Sequence, residues 1–187
     1  MRIYVVWGDS HIPYRSHSLP TEFIEYLGKT KPDMLVCTGD LVRIEVLDLV
    51  RNFGSDIIVV RGNMDEGEAG RHPLIELFED EGILFMVFHG HGVYPRGNKT
   101  QLYEIAKRKG GVDVLLTGHT HSPLISKYRD LLIINPGSVC GVWGGGGGYG
   151  YPTWALLRVG EKTIDVRIYE IREGRLGIHS EKRVALR

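Results

Sequence analysis

Seven side chains of the metal-ligating kind stand along the chain, each just after a short apolar run: Asp9, His11, Asp40, Asn63, His89, His119 and His121. Runs such as residues 3–7 and 34–38 suit buried strands, and polar residues just past such strands point into the crevice where open α/β sheets bind ligands. Carboxylates, imidazoles and an amide are donors that first-row divalent cations accept. Asp9-Ser10-His11 and His119-Thr120-His121 are i, i+2 pairs, which extended backbone turns to one face, so that each pair clamps a metal from one side. A single pair of this kind is weak evidence, because a histidine is more often a surface or hydrogen-bonded residue. The ordered series Asp-x-His, Gly-Asp, Gly-Asn, His-Gly and Gly-His-x-His, each closing a different strand, points to a site for two metal ions.

The strands that must position these residues are read at 3–7, 34–38, 57–60, 83–88, 112–117 and 131–134. Between them apolar residues recur with helical spacing, in four sets: Phe23, Ile24 and Leu27; Val46, Leu49, Val50 and Phe53; Leu74, Ile75, Leu77 and Phe78; Leu102, Ile105 and Ala106. Such alternation predicts a largely parallel sheet with right-handed crossovers and helices on its face. The tail differs. Runs at 153–159, 163–171 and 175–186, broken by Gly160-Glu161 and Glu173-Gly174, predict an antiparallel meander, with a second sheet packed on the first.

With 187 residues and no linker or internal repeat, the chain is expected to form one domain, 1–187. Lys plus Arg number 23 against 23 Asp plus Glu, which weighs against non-specific nucleic-acid binding, since that needs a basic face. The first apolar stretch spans five residues, too short for a signal core or a membrane span, and the two cysteines, Cys37 and Cys140, make a disulfide framework improbable. A cytoplasmic protein is expected.

On these motifs the chain resembles the calcineurin-like metallophosphoesterase superfamily, in its small single-domain branch, which also includes the retromer cargo-binding subunit. The resemblance covers most of the chain and implies an α/β fold of two facing mixed β-sheets flanked by helices, four layers in the order αββα. It implies one metal held by Asp9, His11, Asp40 and His121, and another by Asp40, Asn63, His89 and His119, with Asp40 bridging. Mn is the expected ion, with Ni, Fe, Zn, Co or Mg as alternatives, and self-association is the habit of the family.

The ligand types make electrostatic sense by themselves. Two divalent ions bring four positive charges and Asp9 and Asp40 remove two, leaving a centre that attracts phosphate. Metal coordination lowers the pKa of water from about 16 to about 7, so a bridging hydroxide is the expected nucleophile, acting between ions about 3.5 to 4 Å apart. Larger phosphatases of the superfamily continue the Gly-Asn motif as Gly-Asn-His-Asp, and that histidine is the usual proton donor to the leaving group. Here the stretch is Gly62-Asn63-Met64-Asp65. Met64 cannot donate a proton, a loss worth about 100- to 10,000-fold that falls hardest on poor leaving groups. His91, two residues past His89, can take the acid's part or orient a ligand; a solvent-facing role is the plainer alternative. Asp65 is read as holding a ligand or capping the next helix.

Asn135-Pro136-Gly137-Ser138 matches a turn that family members place beside the metals, and is also an ordinary Pro-Gly turn. The five glycines 144–148 lack the Lys-Ser or Lys-Thr of a P-loop and read as a flexible flap. Trp143, Tyr149 and Tyr151 beside them offer faces on which the organic half of a substrate can stack, or serve packing instead. Arg43, Arg61 and Arg96 lie near motif ends, where guanidiniums can grip phosphate, although such residues are more often ion-paired. His17, His72 and His179 are read as surface residues. The expected function is hydrolysis of a small phosphate ester, diesters before monoesters. A metal-stabilised interaction scaffold without catalysis is the rival, and a nuclease comes third.

Overall fold

The computed structural model describes residues 1–186. In chain order the elements are β1 (Arg2–Trp7), α1 (Thr21–Thr30), β2 (Met34–Cys37), α2 (Glu45–Asp48), β3 (Asp56–Val59), β4 (Ile75–Asp80), β5 (Ile83–Phe88) and α3 (Lys99–Lys107). Then follow β6 (Val114–Leu116), β7 (Leu124–Tyr128), β8 (Leu131–Asn135), β9 (Thr153–Gly160), β10 (Thr163–Arg172) and β11 (Arg175–Ala185). They build two mixed sheets, ordered β11-β10-β9-β1-β2-β3 and β4-β5-β6-β8-β7. Strands β1, β2 and β3 are mutually parallel, as are β5, β6 and β8, and antiparallel strands complete each sheet.

The period-2 alternation of strands decides the layers. Tyr4, Val6 and Val36 of the first sheet meet Phe85, Val87 and Leu116 of the second in a shared core. Their alternates Val5, Trp7 and Leu35 face outward under Phe23 and Leu27 of α1 and Leu47 of α2. On the far side Met86, Leu115 and Ile133 lie under Leu102 and Ala106 of α3. Central strands buried on both faces read as unbroken apolar runs, which explains why the sequence marks them so clearly. Helix α3 is capped by Asn98, whose side chain accepts the Gln101 amide at 3.1 Å and so satisfies one of the free N–H groups of the first turn. Among the described residues no helix is long and apolar enough to cross a membrane.

Several expectations are corrected. The meander β9-β10-β11 does not make a separate sheet; it extends the sheet of β1 through an antiparallel pairing of β9 with β1. Leu74, Ile75, Leu77 and Phe78 do not form a helix. Residues 75–80 are β4, an edge strand paired antiparallel with β5 through Glu81-Gly82, both at positive φ (52° and 68°), the backbone that a two-residue hairpin turn requires. Val46 to Phe53 does not form one helix either: α2 ends at Asp48, and Arg51–Phe53 is a separate 3-10 turn. Strand β7, unmarked in the sequence reading, is the other edge of the second sheet.

Candidate metal centre

The parallel strands deliver the candidate ligands. Asp9 and His11 follow β1, Asp40 follows β2, His89 follows β5, and His119 and His121 follow β6. Two triads result, Asp9 with His11 and His121, and Asp40 with His89 and His119; within each, the ligand atoms lie within 4.8 Å of one another. The His119–His121 pair therefore divides, one imidazole to each triad. The extended backbone expected for the i, i+2 pairs is absent. Asp9, His11, Asp40, His119 and His121 all have φ between 50° and 68°, the left-handed region, which costs a non-glycine residue about 1–2 kcal/mol. Such strain concentrated on five candidate ligands is held by tertiary hydrogen bonds: Asp9 N–H donates to Gly39 O at 2.9 Å and His11 N–H to Asp40 O at 3.0 Å.

Four of the candidate ligands, Asp9, Asp40, His89 and His121, divide their two donor atoms. Asp9 Oδ2 accepts the His119 amide at 3.0 Å, and Oδ1 lies 3.3 Å from His121 Nε2. Asp40 Oδ1 accepts the Met64 amide at 2.7 Å, and Oδ2 lies 3.2 Å from His89 Nε2 and 3.4 Å from His11 Nε2, one oxygen between the two triads. His89 Nδ1 is 2.8 Å from Thr38 O and His121 Nδ1 is 2.7 Å from Val142 O. A carbonyl can only accept, so both Nδ1 atoms carry the proton and both Nε2 atoms offer a lone pair to a cation. Among the described residues Asp9 Oδ1 and His89 Nε2 are buried without a hydrogen-bond partner, despite these short approaches. Close lone pairs that do not bond each other fit a divalent cation in each triad.

Without a cation, burial pushes His11 and His119 down to about 4, so both are neutral at pH 7. Burial also acts downward on His89, but the carboxylates of Asp40 and Asp9 outweigh it and raise the ring to about 9. The same contest raises His121 beside Asp9. Burial pulls Asp40 upward, yet His89 and the Met64 amide hold it below the usual carboxylate range.

Around the ligands runs a backbone brace. Asp65 accepts the amides of Gly62 (2.7 Å), Val42 (2.8 Å) and Asp40 (3.0 Å), so it holds the loops after β2 and β3 together. Among the described residues no helix begins at Asp65, so it braces the loop of Asp40 rather than capping a helix. A Cβ on Gly62 would stand 2.1 Å from Asp40 Oδ1. The Asn-Pro-Gly-Ser turn braces from below: Ser138 Oγ donates to Asp9 O at 2.7 Å, and Asn135 Nδ2 to Gly118 O at 2.8 Å.

The remaining candidates fall into different surroundings. Asn63 is exposed, in the turn between Gly62 and Met64 that touches Asp40. His91 is half-buried with its ring 5.6 Å from that of His89, and its Nδ1 has no hydrogen-bond partner among the described residues. Trp143 is 64% exposed and lies under Arg15, whose Cζ is 5.8 Å from the ring centroid. Tyr149 is bound elsewhere: its hydroxyl donates to Glu170 and its ring packs 4.7 Å from His179. Arg43 pairs with Glu66, Arg61 donates to Gly70 O, and Arg96 donates to Gly144 O. His72 and His179 are half-buried rather than surface groups. Sequence reasoning passed over Arg15 and the carbonyls of Thr38 and Val142; backbone atoms leave no mark in side-chain patterns.

The chain belongs to the calcineurin-like phosphoesterase superfamily, whose domain model matches residues 1–162. A probable metallophosphoesterase of Methanocaldococcus jannaschii is 36% identical over 133 residues, covering 71% of this chain and 66% of that protein, just under two thirds of its length. Vacuolar Protein Sorting 29 from Cryptosporidium parvum shares the fold at a TM-score of 0.91 over 98% of each chain, with 23% identity. Wild-type Vps29 of Entamoeba histolytica, solved in complex with zinc, reaches 0.86 with 27% identity and 98% of each chain covered.

Proposed function

We propose that this protein is a two-metal phosphoesterase that hydrolyses phosphodiesters in preference to monoesters, with residues 1–187 acting as one domain. The observation that carries this reading is the pair of triads in which Asp9, Asp40, His89 and His121 each spend one donor on the backbone and turn the other toward a shared centre. Asp9, His11, Asp40 and His121 hold one divalent cation, and Asp40, Asn63, His89 and His119 the other. Bound there, two such ions supply Lewis acidity that attracts phosphate oxygens and ionises a water near neutral pH. The chain's part is positioning: Asp65 fixes the loop of Asp40, the Asn135–Ser138 turn fixes that of Asp9, and the two carbonyls fix the imidazoles. Donors of these types accept several first-row ions, and Mn is the first to test.

The diester preference rests on Met64 and on the resemblance to the small single-domain branch of the family. No imidazole follows Asn63 to protonate an alkoxide, so esters with acidic leaving groups are favoured. We assign the part of the missing proton donor to His91, a reading supported by its ring lying 5.6 Å from that of His89 and outside both triads. Trp143, exposed next to the centre, is the aromatic face open to a substrate; Tyr149, tied to Glu170, supports its loop.

Likeness to Vps29 structures supports a second reading, a metal-stabilised scaffold for protein partners in which catalysis is absent. Retention of all seven ligand-type residues favours the enzyme. Metal analysis of the purified protein, followed by Mn-dependent assays on paired aryl phosphate diesters and monoesters with an Asp40→Asn control, separates the two. Metal-loaded protein inert toward every ester establishes the scaffold; turnover abolished by Asp40→Asn establishes the esterase.

A further inference from the structure

Two arginines stand beside the triads with their charge unspent. Arg15 follows His11 by one turn, its amide donating to His11 O at 2.8 Å, and its Nη1 donates to the carbonyl of Trp143 at 2.6 Å. Arg96, from the segment after β5, donates from Nη1 to the carbonyl of Gly144. Guanidiniums from opposite sheets thus hold consecutive carbonyls of one loop. That loop is itself fastened to the metal centre. Val142 O holds His121 Nδ1, and the Tyr149 amide donates to His121 O at 2.9 Å, so both ends of the glycine segment are tied to one candidate ligand. A Cβ on Gly144 would lie 3.0 Å from the His121 ring, and one on Gly146 would lie 3.4 Å from Arg96 Nη1. Glycine lets the backbone pass between imidazole and guanidinium.

The identity of the partner matters. Arg43, Arg51 and Arg167 pair with carboxylates, which neutralise them. Among the described residues neither Arg15 nor Arg96 has an acidic partner. A carbonyl fixes the direction of a guanidinium but leaves its full charge and its other N–H donors free, the arrangement that suits an incoming anion. Arg15 is anchored on the carbonyl of His11, and both guanidiniums hold the loop whose Val142 carbonyl binds His121, so the two stand beside the candidate ligands.

Resting on the phosphoesterase reading, we infer that Arg15 and Arg96 are specificity-determining residues for a second phosphate: the preferred substrate is a phosphodiester that carries another phosphate group on its non-scissile part. A simple diester brings one negative charge to a centre whose two cations exceed its two carboxylates by two charges, and the guanidiniums add two more. A further phosphate monoester, carrying about −1.5 to −2 at pH 7, offsets the two guanidinium charges and suits their planar forks.

The test compares thymidine 5′-(4-nitrophenyl phosphate) with the same ester bearing a 3′-phosphate, in the wild type, Arg15→Gln, Arg96→Gln and Arg96→Lys. The leaving group is common to both substrates, so a difference reports recognition of the added phosphate. The wild type is expected to favour the 3′-phosphorylated ester about tenfold or more in kcat/KM, mostly through KM. Each Gln variant should lower that ratio, and Arg96→Lys should restore it only in part, because an ammonium lacks the fork. A second readout needs no turnover: pyrophosphate should raise the melting temperature of the metal-free wild type more than methyl phosphate does, and Arg15→Gln and Arg96→Gln should remove the difference. Where turnover occurs, the kinetic ratio decides, and equal kcat/KM for the two esters in the wild type overturns the inference while leaving the esterase intact. If neither ester is hydrolysed, the esterase reading fails, and the melting shift decides: its loss in the variants supports the anion site, and its persistence overturns it.

Discussion

The carboxylate of Asp65 accepts the backbone amide of Asp40 at 3.0 Å with the same oxygen that takes the Gly62 amide at 2.7 Å. Its other oxygen takes Val42 at 2.8 Å. One side chain therefore sets the left-handed backbone of Asp40 (φ 55°) and of Val42 (φ 78°), conformations that neither residue prefers alone. Asp65→Ala should cost about 2–3 kcal/mol, since it strands three amides that bonded a charged acceptor. It should also lower metal stoichiometry, because Asp40 Oδ2 loses its fixed place between His11 and His89. Urea unfolding together with metal analysis measures both. A fully loaded Asp65→Ala protein would show that Asp40 is held some other way.

Chelation should destabilise the protein more than a surface salt effect does. With the cations removed, two buried carboxylates and four imidazoles face one another, and His11 Nε2 and His121 Nε2 lie 3.1 Å apart. A ligand present at 100 times its dissociation constant stabilises the folded state by about 2.7 kcal/mol, which for a chain of this length is about 5–10 °C in melting temperature. Scanning calorimetry after dialysis against EDTA, and after re-addition of Mn, Zn, Ni or Co, gives the shift. If no ion moves the melting temperature, the triads bind none of them.

Metal uptake should release protons. In the cation-free protein burial acts downward on His89 while Asp40 and Asp9 act upward and prevail, leaving the ring protonated below about 9. A cation needs the same Nε2 lone pair, so the proton must leave when it binds. The sign follows: affinity rises with pH up to about 9, and falls as acid restores the competing proton. His11 and His119, held down to about 4, add no competition near neutrality. Titration calorimetry at pH 7 in buffers of different ionisation enthalpy counts the released protons. A count of zero would mean that His89 and His121, both raised by carboxylates, are already neutral.

The strands and the candidate ligands were legible in the sequence for one physical reason. Strands β1, β2, β5, β6 and β8 are buried on both faces, so they appear as unbroken apolar runs, and polar residues directly after them stand out. Edge strands escaped. In β4 Leu77 is 39% exposed while Phe78 reaches the shared core, and the half-buried run Leu74, Ile75, Leu77, Phe78 has a spacing that fits a helix equally well. The backbone at the site was also hidden. Nothing local in Asp9-Ser10-His11 demands positive φ; the demand comes from Gly39 and Asp40 on the neighbouring strand's loop, distant in sequence. Arg15 escaped for the same reason, because its partner, Trp143 O, lies 128 residues away.

Met64 and His91 separate leaving-group chemistry from metal chemistry. Met64 follows Asn63 where larger relatives of the family carry histidine, and its amide is fixed on Asp40 Oδ1, so a side chain grown from this position starts beside the centre. Met64→His should therefore raise turnover of an alkyl ester relative to an aryl ester, by about 100-fold where the new imidazole supplies the lower end of general-acid catalysis. His91→Ala should do the reverse, depressing alkyl turnover while sparing aryl esters, whose leaving groups depart without a proton. The alkyl-to-aryl ratio of kcat is the measurement, because a change in metal loading moves both substrates together and leaves the ratio alone. A His91→Ala protein that lowers both activities equally would make His91 a support for His89, 5.6 Å away, and leave protonation to solvent.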